Sequence, residues 1–331
     1  MAGDVRDEVT ARRVGFAAAP PRRQDDDTWL KSYRYLRMAI VGLLVALGVA
    51  VGYQTWRQDF DLLGSVSAYY YTPAQAIFVG ALIGMAACMI ALKGTTATED
   101  VFLNLGGMFA AVVAIVPTSR GGDYESAVRE CQQAAGPLLT EKAASALDCP
   151  TVQALAEATR ANVENNMFAL LVLGGLGILA TALFALRERK WSSLKFWLGF
   201  GASVAVYAAG AVAFITSIDW FIDNAHYIAA VGLVVCVFVV AVANVRRRQG
   251  EQAGGDAGLG QAVGGLFSPG RHDWYTWIAR AMLVAAVGGA ALWYFKVTTL
   301  FWLEFPVAAL FALFWMVQTI EQLGDEPSRV G

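Results

Sequence analysis

The chain has 331 residues, of which 57% are hydrophobic and 16% charged, with a formal net charge of −2. A soluble domain carries roughly 25% charged residues, so this chain has too little polar surface to cover a water-soluble globule of its size, and the same composition excludes disorder. Without a basic excess, nucleic acid is excluded as a partner, and an all-α polytopic membrane protein remains.

Crossing a bilayer takes about 20 mostly apolar residues. Eight stretches qualify: Leu36–Trp56, Ala76–Leu92, Val101–Pro117, Met167–Leu186, Trp197–Ile218, Tyr227–Val245, Trp277–Phe295 and Phe301–Ile320. Before them, residues 1–35 read as a flexible cytoplasmic tail. A signal peptide would place its apolar region nearer the start, whereas here Asp25, Asp26, Asp27 and many arginines precede the first run. Residues 36–249 form a six-span core, interrupted by one long loop at 119–166. Residues 250–270, rich in Gly, Ala and Gln, read as a flexible linker. Two further spans occupy 271–322, and 323–331 is a short tail. Small residues inside the spans, among them Gly80, Gly84, Gly106, Gly107, Gly174, Gly175, Gly210, Gly288 and Gly289, let neighbouring helices approach closely.

With the N-terminus inside, this arrangement puts 19 of the 25 Lys and Arg residues on the inner side and 6 on the outer. Basic residues mark the cytoplasmic side, which predicts a plasma-membrane protein with both termini and the 250–270 linker in the cytoplasm. The 119–166 loop is then outside, where an oxidising compartment permits a disulfide between Cys131 and Cys149. Such a bridge would restrain the loop by about 3 kcal/mol on the chain-entropy model; the alternative is two free thiols in a mobile loop. The mixture of Ala, Leu, Val and charge in this loop predicts two or three short helices forming a small cap. Cys88 and Cys236 lie inside spans and read as small apolar packing groups.

There are two histidines, His226 and His272, and the topology puts them on opposite sides of the membrane. That argues against a histidine-based metal centre. No phosphate-binding loop or dinucleotide fingerprint occurs, nor a Gly-x-Ser-x-Gly nucleophile motif. We therefore expect no metal, no cofactor and no nucleotide.

Three polar clusters fall at the outer face. The first is Gly64–Pro73, in which Ser65 and Ser67 precede Tyr69, Tyr70 and Tyr71. Tyrosines at such a position have an ordinary explanation as headgroup anchors. The second is Asp219–His226, where Asp223 or Asn224 is placed to cap the sixth helix, with His226 in its first turn. The third is Glu304, just inside the eighth span and close to Lys296. An intramembrane carboxylate faces protein, a polar cavity or the interface. Together Ser65, Ser67, Tyr69, Asp219, Asp223, His226 and Glu304 define a candidate outward-facing polar pocket. A Ser–His–Asp arrangement is chemically conceivable there, although no spacing demands it. On the inner side, Glu99 and Asp100 suit the start of the third helix, and Asn104 lies within it.

The run Ser65–Thr72, followed by Phe78-Val79-Gly80, Lys93-Gly94, Asn104-Leu105-Gly106-Gly107 and Val116-Pro117-Thr118, resembles bacterial multi-spanning membrane proteins that carry a domain of unknown function. These are distantly similar to the Frag/DRAM/Sfk group. His226 at the outer start of the sixth span also fits that pattern. The resemblance covers roughly residues 36–245 and leaves the last two spans and the Cys131/Cys149 loop outside it. It implies a part in membrane lipid organisation or remodelling. The sequence thus leads us to expect a protein that binds membrane lipid, or a membrane-protein partner, through its outer pocket. The alternatives are an outer-leaflet lipid-modifying hydrolase or transferase, and a small-solute transporter. A shortage of charge deep in the spans weighs against the last.

Overall fold

Backbone inside a bilayer must satisfy its hydrogen bonds internally, and for an isolated apolar run the solution is a helix. The computed structural model describes residues 24–94, 96–118, 128–129, 131, 149–187, 194–253 and 274–324. Among these the chain forms eight α-helices and no strand. They are α1 (Gln24–Arg57), α2 (Gln75–Ala91), α3 (Ala97–Ile115), α4 (Val152–Arg187), α5 (Leu194–Thr216), α6 (Ile218–Ala253), α7 (Trp274–Tyr294) and α8 (Phe301–Gly324). A short 3-10 helix, Ser67–Tyr71, precedes α2. Seven of the eight are long and apolar enough to cross a membrane, and α2, at 17 residues, is the shorter one. The protein is a multi-pass helical membrane bundle.

Several helices outrun their apolar cores, because backbone hydrogen bonding does not stop where hydropathy does. α1 begins at Gln24, so residues 24–35 are helical rather than a flexible tail. α4 begins at Val152, so the last part of the expected cap is one continuous helix with the span. α6 begins at Ile218 and continues to Ala253, into the expected linker. Only Ser217 separates it from α5. The expected cap helices between Ser119 and Cys149, and the linker beyond Ala253, lie outside the described residues. Cys131 and Cys149 stand at disulfide distance, their Cα atoms 5.9 Å apart.

Six helices pack side by side in a closed ring, in the order α1, α2, α3, α6, α7, α8 and back to α1. The last two spans are therefore integral, seated between α6 and α1. The ring is filled by Leu47, Phe78, Met85, Met89, Leu103, Ala110, Val240, Met282, Phe311 and Phe314, among others. α4 and α5 lean on the outside of α3 and on each other. Tyr207 of α5 pins them together by donating to the Leu171 carbonyl of α4 at 2.9 Å.

Close approach within the ring rests on missing side chains. A Cβ on Gly107 of α3 would lie 2.8 Å from the Ala86 carbonyl oxygen of α2, and one on Gly232 of α6 would lie 2.7 Å from the Phe109 ring of α3. The first obstacle is backbone, which cannot rotate away. Gly107→Val should therefore force α2 and α3 apart and cost about 1–3 kcal/mol, the usual range for overpacking. Thermal unfolding in detergent measures this, and a loss below a few tenths of a kcal/mol would show that the two helices have room.

Two sharp exits bring the outer connections together. α1 ends with Phe60 N–H donating to the Thr55 carbonyl, and α7 ends with Val297 N–H donating to the Leu292 carbonyl. Each closes a six-residue turn of the kind that terminates helices with a left-handed residue. That position is held by Asp59 (φ 54°) in the first and Lys296 (φ 58°) in the second, where glycine is usual. Phe301 N–H then donates to the Gly64 carbonyl at 3.0 Å, tying the α7–α8 connection to the α1–α2 connection.

Candidate functional site

The stretch from Gly64 to Thr72 folds inward over the end of the ring. Ser65 is spent locally: its Oγ accepts from Ala68 N–H at 3.0 Å and starts the 3-10 helix. Tyr69 is fully buried and Tyr70 nearly so. They are therefore not headgroup anchors. Tyr69 hydrogen-bonds Thr55 of α1, and Tyr70 packs edge-on against Tyr71 and Phe78. Tyr71 Oη donates to the Thr118 carbonyl at 2.8 Å. A run of three aromatics reads as an interfacial belt only while its backbone is taken as straight. The 3-10 turn carries two of the rings into the bundle.

Ser67 is the meeting point. Its Oγ lies 2.9 Å from His226 Nε2, while His226 Nδ1 lies 2.6 Å from the Val116 carbonyl oxygen. A carbonyl can only accept, so Nδ1 carries a proton. In the neutral ring Nε2 then holds the lone pair and accepts from the Ser67 hydroxyl. On the other side of Ser67 stands Glu304. Its Oε2 accepts from the N–H groups of Val66 at 2.7 Å and Ser67 at 3.3 Å, and Oε1 is 3.4 Å from Ser67 Oγ. These N–H groups open the 3-10 helix, where a carboxylate suits the unsatisfied donors. Ser67 and His226 are buried and Glu304 half-buried. Residues from three connections, 159 and 237 positions apart in sequence, thus form one hydrogen-bonded group.

The rest of the second cluster does not join it. α6 starts at Ile218 rather than near Tyr227, so His226 is two turns inside the helix and not in its first turn. Neither Asp223 nor Asn224 caps anything: Asp223 is exposed, and Asn224 Nδ2 donates back to the Trp220 carbonyl within the helix. Asp219 sits seven residues before His226, which is about 10 Å along the axis, and pairs instead with Arg160 of α4. The conflict between the helix dipole and His226 that the sequence suggested disappears with the corrected start. The Val116 carbonyl, the group that orients His226, was invisible as a side-chain pattern.

As a chemical arrangement, the site holds a hydroxyl against an imidazole whose far nitrogen is fixed by an acceptor. That is the nucleophile–base–orienter relation in outline. The two backbone N–H groups beside Ser67 are of the kind that stabilise an oxyanion, but Glu304 occupies both. The geometry therefore has two aspects: a clamp that holds the loop, and a serine–histidine pair inside it. Among the described residues no three His, Cys, Asp or Glu side chains gather as a metal site.

At the opposite end of the ring, sequence reasoning missed a second buried polar group. Glu99 occupies the first turn of α3, as expected, with Thr96 Oγ1 accepting from its N–H at 3.1 Å. Its carboxylate accepts from Asn244 Nδ2 of α6 at 3.1 Å, and Asn244 Oδ1 accepts from Gln318 Nε2 of α8 at 3.0 Å. Arg37 of α1 is fully buried beside them. No family model, curated protein or solved structure matches the chain.

Proposed function

We propose that the chain is a plasma-membrane protein, with both termini cytoplasmic, that binds an outer-leaflet lipid headgroup where its three outer connections converge. The observation that supports this reading is the Glu304–Ser67–His226 group. It lies beside the last turn of α1 and the early turns of α6 and α8, whose Trp56, Trp220 and Trp302 are exposed. Exposed tryptophans favour the headgroup layer, so the polar group belongs to the depth at which headgroups lie. The apolar filling of the ring between its two polar ends weighs against a path for polar solutes. The resemblance to the Frag/DRAM/Sfk group points towards lipid as well.

Purification in mild detergent, followed by mass spectrometry of retained lipid, tests the reading. One headgroup class should be enriched over the bulk membrane, and His226→Ala and Glu304→Gln should lose it. Retained lipid of bulk composition, unchanged by either substitution, removes lipid binding, and a co-purifying membrane protein lost with the same variants would replace it. For the orientation, a cysteine introduced at Gly255 should resist membrane-impermeant reagents applied outside intact cells. Labelling from outside would invert the topology.

The Ser67–His226 hydrogen bond favours a second reading, an outer-leaflet lipid hydrolase or acyl transferase with Ser67 as nucleophile and His226 as base. It requires Glu304 to leave the N–H groups of Val66 and Ser67 so that an oxyanion can take its place. A fluorophosphonate probe should then label the wild-type protein and not Ser67→Ala. Absence of labelling in a folded protein leaves the binding reading alone.

A further inference from the structure

Arg37 enters the ring from α1, six residues beyond Lys31, where the apolar part of that helix begins. It is fully buried. Its guanidinium lies 4.2 Å over the Tyr33 ring and 5.3 Å from the Trp315 ring of α8. Nη2 donates to Tyr33 Oη at 2.6 Å. Nε and Nη1 are buried without an acceptor, and so is Nε1 of Trp315, itself fully buried. Glu99 is close enough to act on Arg37 electrostatically but forms no ion pair with it. Its carboxylate is engaged by Asn244 and stands at the start of α3, where the helix end favours negative charge. One turn beyond Trp315, Gln318 Oε1 is buried without a donor, because the amide nitrogen is spent on Asn244.

Buried polar groups are satisfied by protein, ordered water or a bound ion, and a buried cation needs a counter-charge that water does not supply. Three N–H donors are open here against one acceptor. We propose that Arg37 and Trp315 hold a monoprotonated phosphate. Two of its oxygens accept from Arg37 Nε and Nη1, the planar fork that matches such a group. An oxygen accepts from Trp315 Nε1, and the P–OH donates to Gln318 Oε1. A phosphodiester has no hydroxyl for Gln318, so the ligand is a phosphomonoester or free phosphate. This site is at the opposite end of the bundle from Ser67 and stands apart from the outer reading. Its phosphate comes either from a phosphatidate headgroup or from inorganic phosphate in solution.

The full-length protein in nanodiscs distinguishes these sources. The thermal unfolding midpoint is measured against inorganic phosphate, with chloride at matched ionic strength as control, and in phosphatidate against phosphatidylcholine discs. A rise with inorganic phosphate assigns the free anion, and a rise confined to phosphatidate assigns the lipid. In either case Arg37→Gln should weaken binding about tenfold or more, the scale of one lost charge-assisted contact. Trp315→Phe keeps a ring beneath the guanidinium and removes only the N–H, so it remains informative if Arg37→Gln does not fold. It should weaken binding about fivefold, the loss of one neutral hydrogen bond. No rise with either probe, or a rise unaltered in Trp315→Phe, overturns the proposal and leaves water as the occupant.

Discussion

Asn244→Leu should destabilise the bundle by about 3 kcal/mol. The asparagine is 1% exposed and ties three helices with one amide. Nδ2 donates to Glu99 Oε1 of α3 at 3.1 Å and to its own helix at Val240, and Oδ1 accepts from Gln318 of α8 at 3.0 Å. Leucine has similar volume, so the loss is electrostatic rather than steric. Removing one side of a buried hydrogen bond costs about 1–3 kcal/mol, more where the stranded group is charged. Here two are stranded, the Glu99 carboxylate and the Gln318 amide. Hydrogen bonds between membrane helices average nearer 0.6 kcal/mol in double-mutant cycles, but in those the stranded group finds other partners. The Glu99 side has apolar neighbours at Leu103, Val240 and Ala241. Denaturation in detergent gives the number. A loss under about 1 kcal/mol would mean that Glu99 re-pairs, and the chain would then not hold α3, α6 and α8 together. The charge component has its own check. In a Glu99→Gln background, which strands no carboxylate, Asn244→Leu should cost markedly less than in the wild type, the non-additivity expected of direct partners.

The eight helices were legible because each span is a long apolar run, and hydropathy over about 20 residues needs no tertiary information. Their ends were not. α1, α4 and α6 continue through polar sequence at Gln24, Val152 and Ala253, and hydropathy reports the bilayer rather than the helix. The convergence of Ser67, His226 and Glu304 was foreseeable from topology, since alternate connections must share a face. Which side chains of each cluster turn inward was not. That depends on where α6 begins and on a 3-10 turn at Ser67–Tyr71, and a shift of a few residues in a helix start rotates and raises every side chain after it. Asp219 and Asp223 were lost from the site for this reason. The Arg37 group escaped notice because a basic residue near a span end reads as a topology signal. Only the packing of α8 against α1 shows that this one points inward.

Glu304→Ala should cost about 3 kcal/mol, and Glu304→Gln about 1 kcal/mol. The carboxylate accepts from two N–H groups, those of Val66 and Ser67, which open the 3-10 helix and have no other acceptor in that turn. Alanine strands both, at about 1–3 kcal/mol each before relaxation. Glutamine keeps an oxygen for one of them and loses only the charge-assisted part. The damage should be local. The remaining tie between these connections is the bond from Phe301 N–H to the Gly64 carbonyl, so the loop at Gly64–Thr72 loosens while the spans persist. Hydrogen exchange at Val66 and Ser67 should quicken several-fold more than at Met85 or Leu103 in the ring. His226 holds the same loop from the other side through Ser67 Oγ. If both residues act on one clamp, His226→Ala should cost less in the Glu304→Ala background than alone, because the loop it restrains is already free. Strict additivity, with exchange at Val66 unchanged in either variant, would mean that the loop is held by its tyrosines. The Glu304–Ser67–His226 group would then be free to open, which is the condition the catalytic reading requires.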